Sequence, residues 1–234
     1  MPPDGPVVIT LDGPAGVGKT TLARRLAAAL GVAFLDTGAM YRAVALSLGE
    51  NGWDLPEPQI AERLCRLQFS LHGSGDETAL AMDEFVLGDE LRSEEVGRWA
   101  SLVARLPAVR ECLVAAQRRM GSARSLVAEG RDMGSVVFPH ATCKFFLDAR
   151  PEVRALRRYN QLLRLGQTPQ PLEELVEALR LRDEQDRTRA VSPLRPAEDA
   201  IMVDTSDLDV EHVFEQLLQQ AKACLERREG GGVR

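Results

Sequence analysis

The run GPAGVGKT, from Gly13 to Thr20, constrains this chain more than any other feature. It fits GxxxxGK[ST], and it lies where its mechanism requires, after the apolar stretch Val7 to Leu11 and before an amphipathic stretch from Lys19 to Leu30. The glycines let the backbone close around a polyphosphate and turn its N–H groups inward, and the helix that follows adds a dipole favourable to anions. Gly13, Pro14, Ala15, Gly16, Val17, Gly18, Lys19, Thr20 and Thr21 are therefore the expected ATP-binding run. Lys19 is placed to reach the β- and γ-phosphates, and the Thr20 hydroxyl to hold Mg²⁺. A glycine-rich turn ending in Lys-Thr by coincidence is the competing reading, and the flanking strand and helix patterns argue against it.

Four more short apolar runs follow, Ala33 to Leu35, Ser125 to Ala128, Cys143 to Leu147 and Ile201 to Val203, with helical patterns between them. Such alternation predicts an α/β fold, a parallel sheet with helices on both faces. The helical stretches run from Lys19 to Leu30, Ala39 to Gly49, Ser93 to Met120, Pro151 to Leu165, Pro171 to Arg189 and Val210 to Arg227. Pro107 divides the third into two helices or kinks it. Leu67 to Leu87 breaks the alternation with two strand-like arms around Gly-Ser-Gly-Asp, which reads as a small antiparallel insertion.

A chain of 234 residues with 44% hydrophobic content can bury a full core, and its net charge of −6 argues against a nucleic-acid or anionic-membrane binder. The start lacks the pattern of a signal peptide and no apolar run could span a bilayer, so a cytoplasmic protein is expected. Cys65, Cys112, Cys143 and Cys224 show no metal-ligand spacing and read as reduced, mostly buried thiols. His72, His140 and His212 are isolated and carry no assigned role, and Trp53 and Trp99 read as packing. Residues 1–5 and 228–234 have little to bury and are expected to be disordered.

The loop alone leaves switches, motors, transporters and small-molecule kinases open. No NKxD guanine signature occurs, and the chain is short for a motor, so the small kinases remain. Open α/β sheets bind ligands beyond the carboxyl ends of their strands. Three polar groups lie there: Asp12 with the loop, Asp36-Thr37-Gly38 followed by Tyr41 and Arg42, and Glu129-Gly130-Arg131-Asp132. Arginines at two strand ends of an acidic protein suit a second anionic ligand facing ATP. For Asp36 and Thr37 a helix cap competes evenly with ligand contact. Arg154, Arg157 and Arg158 share one helix face, as do Arg182, Asp186 and Arg189 on the next. Each stripe is open to two readings, a solvated face or a lid that brings guanidinium groups to the transferring phosphoryl. Asp183 and Arg187, four apart, read as a solvated ion pair.

The runs LDGPAGVGKTTLA, FLDTGAMYRAVAL, LRSEEV, ASLVARLPAVRE, VAEGRDMGSVVFP, KFFLDARPEVRALRR and RDEQDRTRAVSPL stand in one order along the chain. Together they resemble bacterial cytidylate kinases, a family of nucleoside monophosphate kinases, over nearly the whole length. The resemblance implies a single P-loop nucleotide kinase unit over 1–234, with a five-stranded parallel core. It further implies a monophosphate-binding insertion at 61–100, an Arg-rich helical lid at 151–190, and transfer from ATP to CMP or dCMP. Residues matching Thr37, Arg42, Arg131 and Arg189 surround the CMP phosphate in that family; those matching Ser101, Arg110 and Asp132 read the cytosine, and those matching Arg182 and Asp186 hold the sugar. Lys19, Arg131, Arg154, Arg158 and Arg189 are then the cations expected to neutralise the moving phosphoryl. Small-molecule substrates, a monomeric state, and no nucleic-acid or membrane partner complete the expectation. Ser101 and Arg110 are nine residues apart, opposite faces of a straight helix. They can serve one base only if the chain bends at Pro107.

Overall fold

The computed structural model describes residues 5–88, 91 and 93–230. Among the described residues there are eight strands: β1 (Val8–Asp12), β2 (Ala33–Asp36), β3 (Phe69–His72), β4 (Ala79–Met82), β5 (Phe85–Val86), β6 (Leu126–Gly130), β7 (Cys143–Asp148) and β8 (Ile201–Asp204). The helices are α1 (Lys19–Leu30), α2 (Thr37–Leu48), α3 (Glu57–Leu64), α4 (Glu94–Val103), α5 (Pro107–Ala123), α6 (Pro151–Arg164), α7 (Leu172–Thr188) and α8 (Val210–Gly230). Five strands form a parallel sheet in the order β2-β6-β1-β7-β8, with registers such as Ile9 opposite Cys143 and Leu35 opposite Ala128. The strand that leads into the GPAGVGKT loop is thus the central one. Its Ile9, Thr10 and Leu11 are fully buried, as parallel strands covered on both faces must be.

The chain forms two compact units. One holds Arg24–Gly130 with the start of β1; the other holds Ile9–Ala23 with the chain from Arg131 onward. In the first, Asp36 caps α2 by accepting the Ala39 amide at 2.9 Å, and Gly49, at φ 79°, ends that helix. Ser93 caps α4 in the same way through Val96, with Glu94 and Glu95 in the favourable first turn. Of the two alternatives for the stretch from Ser93 to Met120, two helices or one kinked helix, the chain forms two, because Pro107 sits at the first position of α5, where its missing N–H costs nothing. Trp53 and Trp99 pack on each other, ring centres 6.1 Å apart.

The insertion has three antiparallel strands, β3, β4 and β5, where the sequence suggested two. Asp83 and Glu84, both at positive φ, turn the chain from β4 into the short third strand. The Arg124 guanidinium holds this hairpin by donating to the Leu71 and Gly73 carbonyls.

In the second unit α8 lays Val213, Leu217 and Ala221 into the core against β7. Two cysteine expectations need correction there and in the first unit. Cys143 of β7 and Cys224 of α8, expected as thiols, form a disulfide because that packing brings their Cα atoms within 5.8 Å. Cys65 is free as expected but exposed, since it caps α3 at the surface. Of the termini expected to be disordered, Gly5 is described and α8 continues through Gly230. The rest of both stretches lies outside the described residues.

Candidate active site

The phosphate loop belongs to the second unit and is shaped by steric necessity. At Gly13, φ is 148°, and a Cβ there would stand 2.1 Å from the Leu147 carbonyl oxygen, so only glycine fits. Gly16 and Gly18 also take positive φ, at 83° and 92°, and a Cβ on Gly16 would press on Arg154 Cβ at 3.2 Å. Lys19 is buried, and its Nζ donates to the Pro14 carbonyl at 2.6 Å, folding the side chain back over the loop. Thr20 and Thr21 are exposed in the first turn of α1. The exposed Thr20 hydroxyl is a hard oxygen donor, and among the described residues no group of three or more His, Cys, Asp or Glu side chains gathers to hold a metal. That donor set fits magnesium, which keeps several waters and takes other ligands from substrate phosphates.

Arg154 occupies an unexpected place. Only 2% exposed, it donates to the Ala149 carbonyl at 2.8 Å, to the Ala15 carbonyl of the phosphate loop at 3.1 Å, and to both carboxylate oxygens of Asp183. Asp183 is therefore half of a buried ion pair between α6 and α7, which corrects the reading of a solvated Asp183–Arg187 pair. Arg187 reaches Asp148 instead, at 3.6 Å. The spacing rule gave Asp183 only its partners on its own helix, and the real partner is 29 residues away. Nor do Arg154, Arg157 and Arg158 share one solvated face. Arg157 bonds Thr205, and Arg158 bonds Gln161 at 3.0 Å.

A second cluster in this unit gathers the residues after β6 with those of α7. Arg131 Nε donates to Asp186 at 2.9 Å, Arg189 lies 3.8 Å from Asp132 and 4.0 Å from Asp186, and Asp132 is 2% exposed. Burial pushes the Asp186 carboxyl up, but Arg131, with its hydrogen bond, and then Arg182 and Arg189 outweigh that and hold it below the ordinary value. Arg189 also donates to the Ser192 carbonyl, which sets the guanidinium beside the two carboxylates. Four of the residues singled out from sequence, Arg131, Asp132, Asp186 and Arg189, are thus one charged network, with Arg182 acting on Asp186 from the preceding turn of α7.

In the first unit, Thr37 is 2% exposed and donates its hydroxyl to the Glu129 carbonyl at 2.6 Å, which joins the start of α2 to the end of β6. Asp36 is the cap of the pair. Arg42 follows one turn on, its buried Nε without a hydrogen-bond partner. Tyr41 lies under Arg110, whose guanidinium carbon is 5.9 Å from the ring centre. Ser101 is on α4, bonded to the Gly97 carbonyl, and Arg110 is on α5, so the break at Pro107 removes the constraint of a single straight helix.

A residue that the sequence placed among the polar groups beyond the strand ends, but with no contact of its own, stands out in the second unit. Asp12, at the end of β1 and 3% exposed, accepts the Met133 amide at 2.8 Å and the Gly134 amide at 2.7 Å. These bonds span 121 and 122 residues, so no local pattern could have revealed them.

The sequence matches the family described as Cytidylate kinase over residues 9–223. A protein named Cytidylate kinase from Nitratidesulfovibrio vulgaris is 58% identical over 216 residues, covering 92% of this chain and 93% of its own. One of the same name from Vibrio cholerae is 45% identical over 219 residues, covering 93% of this chain and 97% of its own. Among solved structures, an uncharacterized protein from Eubacterium ventriosum overlays with a TM-score of 0.50 at 11% identity, covering 92% of this chain and 98% of its own, which is a likeness of fold alone. With its matched span running from the strand before the phosphate loop into the last helix, the chain belongs to the cytidylate kinase family.

Proposed function

We propose a residue-level course for the reaction of this cytidylate kinase, transfer of the γ-phosphoryl group of ATP to CMP or dCMP, giving ADP and CDP or dCDP. An oxygen of the acceptor phosphate attacks the γ-phosphorus; that P–O bond forms as the bond to the β–γ bridging oxygen breaks, and ADP leaves with the electron pair. The acceptor oxygen is already anionic, so no general base is required. Catalysis is then positioning and charge neutralisation.

Lys19 and the loop amides hold the donor phosphates. Magnesium, coordinated by Thr20, supplies further charge neutralisation when bound. Arg131, Arg189, Thr37 and Arg42 are the residues assigned to the acceptor phosphate. Asp132 accepts from the cytosine amino group, and Arg110 and Ser101 face its O2 and N3; uracil presents the opposite donor pattern, so UMP should be a poor acceptor. Arg182 and Asp186 hold the sugar. Arg158, which donates to Gln161 on its own helix, is assigned to the transferring phosphoryl, whereas Arg154 steadies the loop through Ala15.

The observation that carries this reading is the Arg131–Asp132–Asp186–Arg189 network, a second charged group that ATP binding alone would not need. Among the described residues no helix is long and apolar enough to cross a membrane. The test is ADP release with Mg-ATP and each of CMP, dCMP, UMP and AMP, against a control without acceptor. Turnover confined to CMP and dCMP is expected, and equal turnover with UMP would overturn the base-reading assignments. Lys19→Ala should lower turnover by about three orders of magnitude while the circular dichroism spectrum is retained.

A further inference from the structure

The amides that Asp12 binds begin a π-helical turn, Met133–Val137. The first N–H groups of any helical turn lack partners within it and need an acceptor from elsewhere. Asp132, the residue in capping position, makes no side-chain capping bond of its own. Its carboxylate is instead turned toward Arg189. The acceptor comes from β1, where one Asp12 oxygen takes Met133 N–H and the other Gly134 N–H.

The fit of the turn on β1 is close. A Cβ at Gly134 would stand 2.9 Å from Thr10 Oγ1 and 3.2 Å from Lys144 Cδ, so the turn lies directly on β1 two residues before Asp12. Asp12 precedes Gly13 of the phosphate loop, and Met133 follows Asp132. Two peptide units therefore separate the donor cradle from the acceptor-reading residues, by way of one carboxylate.

We infer that Asp12 is a positioning residue for the acceptor, whose two oxygens hold the Met133 and Gly134 amides and so fix Arg131 and Asp132 relative to the phosphate loop. This rests on the assignment of Arg131 and Asp132 to the acceptor. A carboxylate suits the task because both its oxygens only accept; an asparagine would point an NH₂ group at one of the two amides.

The test is steady-state kinetics of Asp12→Asn, Gly134→Ala and Asp132→Asn beside wild type, varying CMP, UMP and ATP in turn, with folding followed by circular dichroism. Asp12→Asn is expected to raise KM for CMP about tenfold and to erode the preference for CMP over UMP, with KM for ATP held within about twofold. Unchanged CMP kinetics, or an equal rise in both KM values, would overturn the inference, since a purely structural role moves stability without singling out the acceptor. Should Asp12→Asn fail to fold, Gly134→Ala lifts the same turn from Thr10 while leaving the carboxylate in place. It should reproduce the selective rise, and wild-type kinetics from it would sink the proposal. Asp132→Asn separates the underlying assignment: if it keeps the CMP preference, the acceptor reading and the inference both fail. If it loses that preference while Asp12→Asn keeps it, the positioning role alone fails.

Discussion

Single residues in this chain are held by contacts of very different reach. Gly13 is demanded by a carbonyl oxygen that would lie 2.1 Å from any Cβ, at a φ of 148° that L side chains rarely take. Gly13→Ala should therefore cost more than the roughly 1 kcal/mol of an ordinary glycine replacement, read as a fall in Tm together with loss of ATP binding. Asp12 behaves differently. Burial raises its carboxyl from 3.8 to about 6; the Gly134 and Met133 amides pull it down, Asp132 pushes it up and Lys19 pulls it down, without cancelling the burial. A carboxyl that binds its proton more tightly folded than unfolded favours the fold most below the unfolded value, and that contribution is lost as pH rises through the folded value. Relative to wild type, Asp12→Asn should accordingly be least stable near about pH 4 and recover as pH approaches about 7, measured by thermal melts across that range. The opposite trend would show that the carboxylate is stabilised rather than strained by its site. Gly13 was legible in sequence because strand, loop and helix are contiguous there; the role of Asp12 was not, because its partners are more than a hundred residues away.

At the scale of elements, local chemistry explains where helices start and stop, and distant chemistry explains how they are fastened. Asp36, Ser93 and Pro107 each mark a helix start through a bond or a fixed φ that their own sequence position dictates, and all three starts were readable. The fastening of α6 to α7 was not, because Arg154 and Asp183 each sit among other charges that offered closer partners in sequence. Asp183→Ala leaves the Arg154 guanidinium buried without its carboxylate, and should cost about 3–5 kcal/mol in a denaturant titration. Arg187→Ala, which removes the half-exposed contact to Asp148 at 3.6 Å, should change stability by less than about 0.5 kcal/mol. Because Arg154 also bonds Ala15, Asp183→Ala should weaken ATP binding as well. The third strand of the insertion escaped notice because Phe85–Val86 is only two residues long, too short for any alternation to register.

For the whole molecule, the five-stranded parallel sheet was accessible because runs of apolar residues alternate with amphipathic stretches, and the family because runs such as VAEGRDMGSVVFP and RDEQDRTRAVSPL stand in one order along the chain. What the alternation cannot encode is which distant segments touch. Cys143 and Cys224 are 81 residues apart and show no motif, yet β7 and α8 place them side by side. Closing a loop of that length contributes about 2–4 kcal/mol by restricting the unfolded chain. Reductant should therefore lower Tm of wild type and leave Cys224→Ser unmoved, while turnover with CMP is the same in both. A fall in turnover on reduction would tie the bridge to catalysis.

The order of the central sheet also bears on how the protein is made. β1 leaves the ribosome well before β7, with which it pairs, so Ile9 must wait for Cys143 before that register can close. At about 5–20 residues per second the phosphate loop stays without its floor, the Leu147 carbonyl, for on the order of ten seconds of synthesis. A nascent chain released before β7 would present the GPAGVGKT run with nothing to shape it, and nucleotide binding should appear abruptly with chain length rather than in proportion to it.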